Sequence, residues 1–234
     1  MTTSTNQSTM EVALVTVGDE LLAGQTENTN ATWLAGQLRD RGASVRRIVV
    51  VPDELDEIGE TVTELRTEYD AVLVTGGLGP THDDVTMDAL ARSFGCEMTE
   101  NPAVVEWLET ETDYALSDIV DGTAHLPEDA EFVPNPAGVA PGAHIENVFV
   151  LPGVPIEMEE MFAIIAPAFS GPESTTKVLT SDEPESTLVE ALRKTSERFD
   201  VHVGSYPGEM VTIRIQGQDE AEVEAAAEWL ERKL

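Results

Sequence analysis

Basic residues are scarce. Thirteen lysines and arginines stand against forty-five aspartates and glutamates in 234 residues, a formal net charge of -32. A chain this acidic repels polyanions at ordinary ionic strength, which argues against nucleic acid and anionic membrane as partners. Cysteine is almost missing: Cys96 is the single one, so no intrachain disulfide can form. It follows Gly95 and reads as a small packed residue rather than a nucleophile. No apolar stretch approaches the roughly 20 residues of a membrane span. The opening MTTSTNQSTM lacks the basic and apolar segments of a secretory signal, so the expected location is the cytoplasm. Residues 1–10 then read as a disordered polar tail. His125, His144 and His202 are scattered, no His/Cys spacing suggests zinc, and no Gly-x-Ser-x-Gly elbow supports Ser-His-Asp chemistry.

What is present is a globular composition, 41% hydrophobic, carried under a charge that needs screening. That combination suits the interior of a salt-accumulating halophile, and the low lysine content agrees. The chain is organised around residues 70–91, DAVLVTGGLGPTHDDVTMDALA. Ala71 to Thr75 is a short β-branched run of the kind a buried parallel strand needs, and Gly76, Gly77 and Gly79 permit a backbone closed to other residues. Pro80 fixes the exit from the turn. Val85, Leu90 and Phe94 can share one helical face, which makes Asp83 or Asp84 a natural N-cap, and a capping aspartate should be replaceable by asparagine at little cost. Amides at such a turn attract phosphate, whereas two adjacent carboxylates repel it. A divalent cation between carboxylate and phosphate resolves that conflict.

Before this stretch, Glu11 to Val17 is a strand leading through GDELLAGQTENTN to a helix, Ala43 to Val51 is a second strand, and residues 54–69 repeat the helical spacing. Strands alternating with helices predict an α/β fold with a mostly parallel sheet covered on both faces, whose ligands collect beyond the carboxyl ends of strands. Three loops qualify: Gly18 to Thr26, Pro52 to Glu54, and Gly76 to Asp84. They would bring Asp19, Glu20, Asp53, Asp83 and Asp84 to one sheet edge. Singly each is an ordinary cap or solvated charge; together they make a cation site. His82 stands nearest, as a base or phosphate donor or as a solvent-facing loop residue, and the second reading is preferred. A further helix begins near Asn101, Leu116 to Pro134 is irregular, Val148 to Leu151 is a strand, and a methionine-rich helix places Met158, Met161 and Phe162 in the core or at an oligomer contact. Several copies of the chain are expected to assemble. Periodicity breaks at Ser170 to Thr176, and residues 176–234 read as a separate βαββα unit.

Residues 75–86, TGGLGPTHDDVT, resemble the signature of the MoaB/Mog-type domain, and the GGLGPT form resembles the competence/damage-inducible protein A (CinA) family. The resemblance implies a MoaB/Mog-like three-layer domain over residues 11–170, followed by a KH-like α+β domain. A KH domain that binds nucleic acid needs a GXXG loop, whereas DEPE, Asp182 to Glu185, stands here. The sequence ends at Leu234, so the nicotinamide mononucleotide deamidation of longer bacterial CinA proteins is not expected. Matched residue by residue, Asp19, Glu20, Asp53 and Asp84 would act at the ligand and its metal, with Asp83 a further candidate metal ligand and Asp84 and Asp53 the catalytic pair. Gly18, Gly76, Gly77, Leu78, Gly79, Pro80 and Thr81 would bind substrate. The family's NP.G.APG and LPGVP segments imply a substrate-side loop at Asn135, Pro136, Gly138, Pro141, Gly142, Pro152, Gly153 and Pro155. Without the resemblance these are a turn and a proline-stiffened connection. Leu78 departs from the GGTG of molybdenum-cofactor enzymes and favours the CinA branch.

Two functions are carried forward. One is a metal-dependent pyrophosphatase acting on a nucleoside diphosphate derivative such as ADP-ribose, with FAD as a second candidate because eukaryotic FAD synthases carry a similar segment. Its cofactor would be a divalent metal ion, with potassium a further candidate. The other is a non-catalytic module that holds molybdopterin or another phosphorylated ligand. The charge yields a first prediction: self-repulsion is relieved by screening, so the melting temperature should rise with potassium chloride over the molar range. A melting temperature independent of salt would refute the halophilic reading.

Overall fold

The computed structural model describes residues 9–111, 120, 122–171 and 174–234. Residues 1–8 of the expected tail, the far end of the helix begun near Asn101 and part of the expected linker therefore lie outside the described residues. The chain divides into two compact units, which meet in sequence at Gly171 and Pro172.

In the first unit, β1 (Glu11–Val17), β2 (Ser44–Val51), β3 (Ala71–Thr75) and β8 (Val148–Leu151) run parallel, while β7 (Gly142–Ile145) and β6 (Glu131–Val133) extend the sheet antiparallel. The strand order is β2-β1-β3-β8-β7-β6. Strand side chains alternate between faces, and the central runs are apolar on both. Ala13, Val15 and Val17 of β1 and Val72 and Val74 of β3 pack with Ile58, Val62 and Leu65 of α3 (Leu55–Glu68) and with Ala89 and Leu90 of α4 (Thr86–Phe94). Val12, Leu14 and Leu73 face the other way, toward Leu34 and Leu38 of α2 (Thr29–Asp40) and Met158, Met161 and Phe162 of α6 (Pro155–Ile165). The result is a three-layer helix–sheet–helix unit. The methionines belong to its core: Met158 and Met161 are fully buried, so the alternative of an oligomer contact falls away for them.

Short elements complete the unit: α1 (Asp19–Leu22), β4 (Met98–Glu100), α5 (Pro102–Thr110) and β5 (His125–Pro127). Asn101 caps α5, accepting from the amides of Ala103 and Val104. The stretch expected to be irregular contains β5, which pairs antiparallel with β4, and β6. Three-residue strands carry no readable periodicity, which is why they escaped the sequence. Met10, expected in the tail, packs against the core and accepts a hydrogen bond from the Ser44 amide at 2.8 Å. At the outer edge, Arg46 and Arg47 of β2 pair with Glu11, Glu64 and Glu68.

The second unit orders β9 (Thr175–Ser181), α7 (Glu185–Arg198), β10 (His202–Tyr206), β11 (Val211–Gly217) and α8 (Glu220–Glu231) as βαββα. Its antiparallel sheet has the order β10-β11-β9. Val211, Ile213 and Ile215 alternate inward to meet Leu188 of α7 and Val223, Ala226 and Leu230 of α8.

Phe162 gives the most direct test of the first core. It is 1% exposed, meets Trp33 edge-on at 5.5 Å between ring centroids and stacks on Phe169 at 5.8 Å. Phe162→Ala should cost about 3–5 kcal/mol in chemical denaturation. A loss below about 1 kcal/mol would contradict this packing.

Candidate functional site

The parallel strands end at one edge, and their carboxyl-terminal loops are tied together by backbone. Gly18 donates to the Val51 carbonyl at 3.1 Å, joining the ends of β1 and β2, and Gly76 donates to the Leu151 carbonyl at 3.1 Å, joining β3 to β8. Gly76 has a φ of 100°, and a Cβ there would lie 2.3 Å from the Val17 carbonyl oxygen. No side chain fits in that conformation or in that space. On its other side Gly153 approaches so closely that its own Cβ would stand 3.3 Å from the Gly76 Cα. Gly77, with a φ of 66°, would drive a Cβ to 2.2 Å from the Thr86 hydroxyl.

Asp84 closes the loop that follows. Its Oδ1 accepts from the Gly79 amide at 2.7 Å, and its Oδ2 accepts from the Thr81 amide at 2.9 Å and from the Thr81 hydroxyl. This corrects the capping assignment. The N-cap of α4 is Val85, which has no capping side chain, and neither Asp83 nor Asp84 serves there. The carboxylate is drawn back because two amides inside the turn give it stronger, charge-assisted bonds than a helix end two residues on. It thereby occupies amides that the sequence assigned to phosphate. Pro80 has no amide hydrogen to offer. Among the described residues, the Gly77 and Leu78 amides have no hydrogen-bond partner.

The carboxylates gather around Asp53. Its Oδ2 accepts from the Asp19 amide at 2.8 Å, which draws the second loop onto the first. Burial raises the Asp53 carboxyl above its ordinary range; the Asp19 amide opposes this, and the charges of Asp19, Glu20 and Asp83 add to the rise. Asp83 is held low, first by the Thr81 hydroxyl and then by its own amide, with His82 nearby. That hydroxyl donates to Asp84 Oδ2. Glu20 sits over Gly18, where a Cβ would meet its Oε1 at 2.5 Å. The donor chemistry fits a hard cation: carboxylate oxygens whose mutual repulsion a positive ion relieves. Yet among the described residues no group of three or more Asp, Glu, His or Cys is placed to hold an ion. Magnesium does not need one, because it keeps several waters and is commonly held by one or two carboxylates plus substrate phosphates.

The remaining expected residues fall into two sets. Gly77, Leu78, Gly79, Pro80, Thr81 and Asp84 line a cavity of about 460 Å³, with Met87, Met98, His125 and Pro141 on its far walls. Asn135 is elsewhere. It is 1% exposed and spends its side chain on the chain itself, donating to the Ala140 carbonyl at 2.9 Å and Glu157 Oε2 at 2.7 Å and accepting from the Ala137 amide. It shapes the loop of residues 135–141. Gly153 and Pro155 are exposed beyond β8, Pro155 opening α6. His82 is a solvent-facing loop residue, its side chain 99% exposed. Three further residues bear on the site. Thr86 is fully buried with an unpartnered hydroxyl beside Gly77. Asn28 caps α2 and donates to the buried Thr16 hydroxyl at 3.0 Å, and Asn30 donates to the Gly153 carbonyl at 2.7 Å. Asn28 carried a readable signal as an asparagine before a helix. Asn30 did not.

This sheet, with its glycine loop at the carboxyl edge, defines a MoaB/Mog-like α/β domain. Residues 13–171 match the family model described as "Probable molybdopterin binding domain", and the chain belongs to that family. Residues 173–234 match the model described as "FAD synthase, middle domain". A protein of Archaeoglobus fulgidus is 38% identical over 229 residues, covering 96% of this chain and 98% of the relative. One of Thermococcus kodakarensis is 39% identical over 244 residues, covering 96% and 97%. Among solved structures, the protein CinA of Thermoplasma acidophilum superimposes with a TM-score of 0.63 at 33% identity, covering 69% of this chain and 98% of that one.

The loop geometry makes Asp84→Asn a sharper test than a capping role would. An amide presents only one acceptor oxygen, so one of the two turn contacts becomes donor against donor. Hydrogen exchange at the Gly79 and Thr81 amides should accelerate by on the order of tenfold or more, with a loss of about 1–3 kcal/mol. Unchanged protection would mean that Asp84 does not hold this loop.

Proposed function

We propose that the protein is a metal-dependent pyrophosphatase acting on a nucleoside diphosphate derivative, ADP-ribose foremost and FAD as a second candidate. The observation that carries this reading is that one sheet edge holds both the carboxylates around Asp53 and two unpartnered amides, Gly77 and Leu78, whose residues line a cavity of about 460 Å³. Amides alone would hold an anion, and carboxylates alone would repel one; side by side they suit a phosphate that arrives with a cation.

A bound divalent cation would neutralise the diphosphate and stabilise charge developing at the attacked phosphorus and the leaving oxygen. One or two of Asp19, Asp53 and Asp83 would hold it, with Glu20 beside them. The Gly77 and Leu78 amides would donate to a phosphate oxygen, and Asp84 would keep the turn in its shape. Water adds its oxygen to one phosphorus, the bond from that phosphorus to the bridging oxygen breaks, and the bridging oxygen leaves with the other phosphate. ADP-ribose so cleaved gives AMP and ribose 5-phosphate, with the released proton passing to solvent.

The description of the matched family favours a second reading, a module that binds molybdopterin or another phosphorylated ligand without turnover. A screen of ADP-ribose, FAD and other pyrophosphates with several divalent ions at high potassium chloride separates the two. The first reading expects AMP release that chelation abolishes and that Asp53→Asn reduces by on the order of a hundredfold without altering the melting temperature. No turnover of any pyrophosphate by the folded protein, together with tight pterin binding, would establish the second.

A further inference from the structure

An unpaired strand edge is a template for another strand, and folded chains blunt it with charge or proline. This chain does so at all but one of its described edges. Arg46 and Arg47 stand on β2, Glu131 on β6, Glu100 on β4, Pro127 on β5 and Lys177 on β9. The exception is β10, which among the described residues pairs with β11 alone. Its sequence, HVGSY, has no acidic residue, lysine, arginine or proline, in a chain with a net charge of -32. The outer face of its sheet is equally free of negative charge. Alternation turns Val178 and Thr180 of β9 and Thr212, Arg214 and Gln216 of β11 away from the helices, one cation and no carboxylate.

On the helix side of the β10 edge, a groove of about 430 Å³ runs between that strand and α7, lined by Ser186, Val189, Leu192, Arg193, Val203 and Ser205. Val189 is 57% exposed in it, an apolar side chain left in solvent beside an open strand. A strand laid along β10 would turn alternate side chains into this groove. α7 runs antiparallel to β10: Glu185, at its start, accepts from the Ser205 hydroxyl near the end of the strand, and its last turn leads through residues 199–201 to the strand's beginning. We infer that two copies of this chain pair through β10, antiparallel about a two-fold axis at Gly204, and join their three-stranded sheets into one. Val203 of each copy then lies opposite Ser205 of the other, and His202 opposes Tyr206. The two α7 helices run side by side in opposite directions, which brings the Glu185 end of one beside the Arg193 end of the other, so the patch complements itself in charge. Most surfaces of so acidic a chain repel their own kind, whereas these contact strands carry no carboxylate. The pairing does not depend on the reaction proposed above.

Sedimentation equilibrium of the full chain in high potassium chloride tests it. The unaltered chain should form an assembly with an even number of copies. His202→Glu combined with Tyr206→Glu sets carboxylates against each other across the axis and should halve the mass; both positions are exposed, so the melting temperature should hold. His202→Lys combined with Tyr206→Glu sets opposite charges at the same positions and should restore the assembly, which a general effect of altering the strand would not do. Val189→Glu places a carboxylate beside the Glu185 end of the other copy and should raise the dissociation constant by about tenfold or more; it serves in place of the first variant if that one does not fold. A monomeric unaltered chain would overturn the self-pairing and leave the edge to a strand of another protein. An odd-numbered assembly, one that survives like charges at positions 202 and 206, or equal masses for the like-charge and opposite-charge variants would overturn it as well.

Discussion

The structure turns on the absence of a side chain at Gly76. The Val17 carbonyl stands where its Cβ would be, and Gly153 closes on its other side, so the ends of three strands approach more closely than side chains would allow. That approach sets everything nearby. It carries β3 directly into the glycine turn, and it lets the loop after β8 reach α2 through Asn30. Any side chain at this point would force these strand ends apart.

Around that junction the charges are arranged against themselves. In an ordinary surface loop, carboxylates separate into solvent. Here the backbone pulls them together: the Asp19 amide holds Asp53, and the Gly79 and Thr81 amides hold Asp84. The protein thus spends backbone donors on concentrating negative charge at a sheet edge, and the Asp53 carboxyl, raised first by burial, is raised further by those neighbouring charges. Asp84 serves a different purpose from its neighbours. It occupies the interior of the turn as an internal anion, fixing the loop, while Asp19, Glu20 and Asp83 crowd their charges on Asp53.

The long elements were legible. β1 and β3 are uninterrupted apolar runs because both faces of a central parallel strand are covered, and α3 repeats Ile58, Val62 and Leu65 at helical spacing. β5 and β6 were not, because three residues among prolines and glycines give no period. At the site, the glycine turn was legible from composition, but the destination of the Asp84 side chain was not. Aspartate before a helix carries the same local signal whether it caps forward or folds back, and only the turn's own amides decide. The Asn30 contact spans 123 residues of sequence and leaves no local trace at all. Asn135 illustrates the converse: its motif marked a loop, while its buried hydrogen bonds show that it builds that loop from within.

The arginines on β2 have a consequence for how copies of this protein coexist. β2 is an outermost strand, and an open strand edge is a template on which another chain can pair. With a net charge of -32, mutual repulsion keeps molecules apart in dilute salt, but concentrated salt removes that barrier while leaving backbone pairing intact. Arg46 and Arg47 stand on this exposed strand, tied by ion pairs to Glu11, Glu64 and Glu68. Bulky, hydrated and anchored, they obstruct an incoming strand sterically as well as electrically. These few cations in an acidic chain thus obstruct edge-to-edge pairing wherever concentrated salt screens the long-range repulsion.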